Sequence, residues 1–162
     1  MSDDDAAIIR RLYEGLNQGD GDAMAALYAP EAHFRDPAFG DLTGAEAGDM
    51  WRMLTRPPAK VSVELRSHSA SDGHGKAHWI ASYEFSRTGR PVVNDVEAAF
   101  RFKDGKIIEH IDEFSFFAWS RQALGAPGLL LGWTPILPHA FRKKTREMLD
   151  EFRAERAKAA AA

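Results

Sequence analysis

The chain contains no cysteine. That excludes disulfides and thiolate-bound zinc. It also lacks a strong charge of one sign: 21 Lys and Arg stand against 24 Asp and Glu, a net charge of −3. Nothing in that balance recruits a nucleic acid or an anionic membrane. No apolar run approaches the roughly 20 residues of a membrane-spanning helix. The start, Met1-Ser2-Asp3-Asp4-Asp5, is acidic and lacks the basic-then-apolar order of a secretory leader. A cytoplasmic protein is therefore expected, with neither nucleic acid nor membrane as partner. No glycine-rich loop follows a strand to cradle phosphates, so no cofactor is expected. Repeats and low-complexity linkers are missing too, and 162 residues suit one domain.

What is present is an ordinary soluble composition, 44% hydrophobic and 28% charged. Ile8, Ile9, Leu12 and Leu16 form one apolar stripe at helical spacing. Gly19-Asp20-Gly21-Asp22 breaks that helix and caps a second, with Met24, Leu27 and Tyr28 as its apolar residues. Thr43 and Glu46 have the spacing of a capping box. Behind them Ala47, Met50, Trp51 and Leu54 form a third helix, stopped by Arg56-Pro57-Pro58.

The middle of the chain alternates. Val61, Val63 and Leu65 interleave with polar residues. Further strands are expected from about His78 to Ser86, Val92 to Phe102 and Ile107 to Phe116, with Asp/Gly turns between them. Helices first and an antiparallel meander later predict an α+β fold. The tail has a broken apolar segment, Leu129 to Trp133, and a helix expected from about His139 to Ala157. That helix either closes a pocket mouth, covers a second subunit, or packs outside through Phe141, Met148 and Phe152. The residues from Ala159 onward are expected to fray.

The chemistry concentrates in two places. Phe34-Arg35-Asp36-Pro37-Ala38-Phe39-Gly40 sets a carboxylate at the end of a β-like run, among aromatic neighbours. Burial disfavours the charged form, which raises a carboxylate's basicity. The competing reading is a turn former, since Asp before Pro commonly bonds local backbone. In the last strand, alternation puts Ile108, His110, Asp112, Phe114 and Phe116 on one face. That face is apolar yet holds a histidine and a carboxylate. Trp79 and Tyr83 share a face of one strand, and Val96, Ala98 and Phe100 share a face of the next. With Trp51 they are expected to wall a pocket for a small apolar molecule. Buried polar groups also serve structure, so a His110–Asp112 pair bonded to each other is the plainer alternative. No pair among His33, Asp36, His110 and Asp112 has a metal-ligand spacing, so no metal is expected.

The Gly-Asp break, the Asp-Pro turn with its Phe-Gly, and the strand meander resemble the SnoaL-like and ketosteroid isomerase-like branch of the NTF2-like superfamily. The likeness covers about residues 6 to 124, with residues 125–162 as a C-terminal helical extension. It implies a cone-shaped α+β barrel, with three N-terminal helices on a curved, mostly antiparallel sheet. It also implies a homodimer formed through the outer face of the sheet. Asp36 falls on the isomerase's proton-shuttling base and Tyr28 on a tyrosine of its hydrogen-bond network. The isomerase's oxyanion aspartate falls on Ala98, and its oxyanion tyrosine on Leu12, one residue from Tyr13. Asp104-Gly105-Lys106-Ile107-Ile108-Glu109-His110-Ile111-Asp112 is similar to a strand of SnoaL-type polyketide cyclases, and Arg121-Gln122 with Leu124-Gly125 continues the likeness. There Asp112 falls on the cyclases' acid/base aspartate, and their partner histidine falls on Ala98.

The implied activity is proton transfer on a hydrophobic carbonyl or polyketide-like substrate, as an isomerase, cyclase or dehydratase. Asp36 or Asp112 would move the proton, and Tyr28 and His110 would orient a carboxylate or stabilise an oxyanion. The alternative is a non-catalytic module that binds an apolar ligand or dimerises. Epoxide hydrolysis would need an Asp–Arg–Asp cluster, and alternation puts Arg101 on the face opposite Ala98.

Overall fold

The elements follow from local sequence. In the computed structural model, which describes residues 2–162, the order is α1 (Ser2–Gln18), α2 (Gly21–Ala25), β1 (Tyr28–Asp36), β2 (Gly40–Thr43), α3 (Gly44–Thr55), β3 (Ser62–Ser71), β4 (His74–Phe85), β5 (Arg90–Lys103), β6 (Lys106–Glu113), α4 (Phe116–Leu124), α5 (Ala126–Leu131) and α6 (Ile136–Ala161). Asp3, Asp4 and Asp5 oppose the positive end of α1. Asp20 caps α2 through the Ala23 N–H at 3.0 Å. The Thr43–Glu46 capping box forms in both directions.

The sheet is six-stranded, in the order β2-β1-β6-β5-β4-β3. All pairs are antiparallel except β1 with β6. It is a curved, unclosed sheet of the cone type rather than a closed barrel. Helices α1 and α3 cover its concave face, and Ile9, Leu12, Met24, Phe34, Met50 and Ile107 form the solvent-free centre.

Four expectations need correction. The second helix ends at Ala25, and Tyr28 opens β1 instead. The last strand ends at Glu113, because Ser115 caps a helix there through the Ala118 N–H at 3.1 Å. Strict alternation fails in β6: Phe102 pairs with Ile107 while Arg101 pairs with Glu109. Ile108 is the extra residue of that bulge, so Ile107 turns into the core beside His110's face. Finally, α6 runs to Ala161, well beyond Ala157 and through the residues expected to fray.

The Arg121-Gln122 segment docks α4. Strand β6 pairs with β5 only from Glu97 onward, which leaves the edge at Val93 open. Gln122 fills it: its Oε1 accepts from the Val93 N–H at 2.8 Å, and its Nε2 donates to the Val93 carbonyl at 3.1 Å. The tail then folds back. Leu149 of α6 is buried in the main core. Arg146 and Arg153 reach Glu46, and Arg153 and Arg156 reach Asp49 on α3.

Candidate active site

The concave face of the sheet, α3, α4 and α6 enclose a cavity of about 250 Å³. Asp36 and Asp112 both line it. Its walls are apolar: Trp51, Trp79, Tyr83, Val96 and Phe114 from the body, and Trp119, Phe141 and Met148 from the C-terminal part. Small-molecule sites commonly span roughly 300 to 1,000 Å³, so this one suits a small ligand.

Asp36 sits where β1 turns into β2. Gly40 makes that turn possible, with φ of +72°, and it pairs with Asp36 across the hairpin. Asp36 Oδ1 accepts from the Ala38 and Phe39 N–H groups at 2.9 and 2.6 Å. The turn-forming role is therefore real, but it occupies one oxygen. Oδ2 has no protein partner among the described residues. Burial raises the carboxyl from 3.8 to about 7, with the Asp112 charge adding to the rise. The two backbone N–H bonds and the nearby Arg142 pull the other way without cancelling it.

Asp112 is held differently. The Trp51 N–H donates to the Tyr28 hydroxyl at 3.0 Å. The same hydroxyl shares a hydrogen bond with His110 Nδ1 at 2.7 Å. A carboxylate only accepts, so His110 Nε2 carries a proton and gives it to Asp112 Oδ1 at 2.8 Å; in the neutral imidazole Nδ1 then accepts from Tyr28. Each donor in the chain is used. His110 is 0% exposed and Asp112 5%. Phe100 stacks on the imidazole at 4.3 Å between ring centres, and Phe34 meets it edge-on at 5.1 Å. The relay assembles β1, α3 and β6 around one carboxylate.

The structure brings Asp36 and Asp112 to the cavity wall, while Tyr28 and His110 stand behind Asp112. Trp51, Trp79, Tyr83, Val96 and Phe114 line the space. Ala98 and Phe100 do not: Phe100 is spent on His110 and Phe102, and Ala98 is buried as the cross-strand partner of Asp112. A carboxylate at position 98 would lie directly opposite Asp112, where like charges oppose each other. Arg101 is exposed, so it supplies no Asp–Arg–Asp cluster.

Some residues in or behind the cavity wall escape pattern reading. Tyr13 lies on α1 at i+4 from Ile9, and its ring packs on Trp79 at 4.9 Å. Its hydroxyl and the Trp79 N–H are buried without a hydrogen-bond partner. Burial and the Asp112 charge hold the Tyr13 hydroxyl well above its usual range. The i, i+4 and i+7 spacing of Ile9, Tyr13 and Leu16 is the signal that would have found it. Tyr83 accepts from the Trp119 N–H at 2.6 Å and keeps its own proton to give. Burial raises the Tyr83 hydroxyl, and the Asp36 charge raises it further. Trp119, Phe141, Thr145 and Met148 carried no signal as lining, because only the folded tail delivers them.

One group of potential metal ligands exists among the described residues. His78, Asp95 and Glu97 offer ligand atoms within 4.8 Å of one another on the outer sheet face. His78 is already bonded to Asp95 at 2.7 Å, and the group has no connection to the cavity.

Residues 9–110, more than half of the chain, match the family model of the SnoaL-like domain. The chain belongs to the SnoaL-like family. No curated protein matches it. Among solved structures, this SnoaL-like chain is similar to a Catenulispora acidiphila protein with a ketosteroid isomerase-like fold, in complex with trimethylamine. The identity is 20% and the TM-score 0.65, covering 79% of this chain and 97% of that one. An LEH-like epoxide hydrolase of M. tuberculosis matches at 15% identity and TM-score 0.66, over 80% and 94% of the two chains. A polyketide cyclase assigned from Xanthomonas campestris matches at 19% and 0.63, over 75% and 97%. These likenesses establish the fold. The chemistry rests on the residues of the SnoaL-like site itself.

Proposed function

We propose that this protein catalyses proton transfer on a small hydrophobic carbonyl compound, as an isomerase, cyclase or dehydratase. One observation carries the reading: two carboxylates line a single apolar cavity, and one is raised to about 7 with an oxygen free. A base poised near the working pH combines a useful ionised fraction with enough basicity. Asp36 Oδ2 takes the proton from a carbon next to the carbonyl and returns it elsewhere on the substrate. Negative charge then develops on the carbonyl oxygen. The donor left for it at the cavity wall is the Tyr83 hydroxyl. Tyr28 and His110 have their protons committed, so they serve as positioning residues that hold Asp112. Asp112 acts as the second acid/base group or as the charge that keeps Asp36 basic.

The test is exchange of α-hydrogen for deuterium in a panel of small cyclic enones, followed by NMR. Asp36→Asn should slow exchange by about 10² to 10⁴, the usual worth of a general base. Asp112→Asn should slow it less. Both variants should still bind an apolar dye in the cavity. Exchange that survives both changes would sink the mechanism. Dye binding by all three proteins with no exchange by any would favour the alternative, a non-catalytic module for an apolar ligand.

A further inference from the structure

Apart from the cavity, the largest unexplained feature is the link from α4 to α6. Its apolar side chains point outward. Leu130 is 67% exposed, Trp133 73% and Ile136 68%, with Leu129 and Leu131 also exposed. The reason lies in how α5 is attached. A Cβ on Gly128 would lie 2.0 Å from the Ser120 carbonyl oxygen, and one on Gly132 would lie 2.2 Å from Ser120 Oγ. Helix α5 therefore docks on α4 through its backbone, at glycines, and its leucines are spent on nothing. An exposed apolar cluster of this kind marks an interaction surface.

The surrounding charge says what sort. From Phe114 through Arg146 there is no Asp or Glu, while Arg121, Arg142, Lys143, Lys144 and Arg146 all fall in that stretch. The balanced net charge of the whole chain hides this segregation. Arg146 is paired with Glu46, and Arg142 donates to the Pro37 carbonyl. Lys143 and Lys144 are exposed, with no carboxylate partner among the described residues. Ile136, His139 and Lys143 lie at i, i+3 and i+7, on one face of α6. An apolar protrusion thus adjoins two exposed lysines, and acidic residues return on α6 only from Glu147 onward.

A second copy of the chain is a poor occupant. A two-fold contact sets a patch against itself. Here it would set the Lys143 and Lys144 pair of one copy near that of the other, with no acid between Phe114 and Arg146 to offset them. An anionic lipid surface satisfies both halves: Leu and Trp enter the interface while lysines meet headgroups. No described helix is long and apolar enough to cross a membrane, so the contact would be peripheral. We infer that the α5–α6 corner docks this protein on anionic membranes through Leu130, Trp133 and Lys143.

Co-sedimentation of the full chain with vesicles tests it. One set is pure phosphatidylcholine, and the other holds phosphatidylcholine and phosphatidylglycerol in equal parts. Binding should be at least about tenfold tighter to the mixed vesicles and should weaken with salt. Leu130→Ser with Trp133→Ser should abolish it. Each of Lys143→Ala and Lys144→Ala should weaken it about fivefold. These side chains are exposed, so circular dichroism and dye binding in the cavity should stay unchanged and certify the fold. No preference for the anionic vesicles would overturn the inference. So would a dimer, seen by analytical ultracentrifugation, that Trp133→Ser dissociates while vesicle binding is absent.

Discussion

Asp36 and Asp112 reach the same cavity by opposite means. Asp36 is fastened by backbone N–H groups of its own turn, which take one oxygen and leave the other open. Asp112 is fastened by a side-chain relay drawn from β1, α3 and β6. A turn can be adjusted locally, so its carboxylate is free to react. A relay fixes orientation, so its carboxylate is better suited to holding charge in place. Two identical side chains thus acquire different tasks from what holds them.

The largest effect expected from that difference is in the pH profile. With Asp36 as base, kcat/KM should rise as pH passes through about 7, the value to which burial and Asp112 bring it. In Asp36→Asn that limb should vanish along with about 10² to 10⁴ of the rate. In Asp112→Asn the limb should move to lower pH, because a charge that raises Asp36 is gone. An unmoved limb would mean that the two carboxylates do not interact.

The relay gives the next effect. Tyr28→Phe removes the group that both accepts from Trp51 and donates to His110. Two buried polar atoms lose partners at once, each costing roughly 1–3 kcal/mol. Denaturant unfolding should show a loss of about 2–6 kcal/mol on that count. A loss below half a kcal/mol would mean that the relay is slack and Asp112 as mobile as Asp36.

Asp36→Asn should do the reverse to stability, and only at high pH. The folded protein holds the Asp36 proton up to about 7, whereas the unfolded chain releases it near 3.8. The native state therefore binds more protons between those values, and stability falls as pH rises through them. Asparagine can still accept from Ala38 and Phe39 but never ionises. The variant should match the parent near pH 4 and exceed it above about pH 8, by roughly 1–3 kcal/mol once screening is allowed for. Melting temperatures across that range measure it. Equal curves would show that the carboxylate ionises without penalty.

How much of this could be read in advance follows the same division. The Asp36 turn was legible because its determinants are adjacent: Asp, Pro, Phe and Gly within five positions. The capping box at Thr43 and Glu46 was legible for the same reason. His110 and Asp112 were visible as polar residues on an apolar face, and their family likeness marked them. Their partners were not visible, since Tyr28 lies 82 positions from His110, and Trp51 another helix away. Tyr28 also looked helical because Met24, Leu27 and Tyr28 have helical spacing. Strand pairing with β6 outweighs that local pattern. The bulge at Ile108 defeats any period-2 reading of β6, and nothing local announces it. The roof of the cavity lies furthest from view. Phe141, Thr145 and Met148 have helical spacing, which says that a face is apolar and not what it covers.

That roof supplies the smallest and most separable test. Helix α6 carries Arg146, Arg153 and Arg156 toward Glu46 and Asp49 of α3, and the same helix sets Phe141 and Met148 on the cavity. Arg153 bridges both acids, at 3.6 Å to Glu46 and 3.0 Å to Asp49. Both carboxyls are pushed below their ordinary range. Burial opposes the shift, but the hydrogen bonds and charges of Thr43 and the arginines outweigh it. Depressed carboxylates contribute stability above their unfolded values and lose it as pH falls through the folded ones. The clamp is therefore closed at neutral pH and released only in acid below the ordinary carboxylate range. Arg153→Ala should cost about 0.5–1 kcal/mol of global stability, as expected of a partly exposed pair within a network. It should speed dye release from the cavity, and salt should narrow the gap to the parent. Asp36 lies outside the clamp, so the midpoint of the pH–rate limb should stay near 7. A variant that shifts that midpoint would show that α6 tunes the base as well as covering it, through Arg142 beside Asp36.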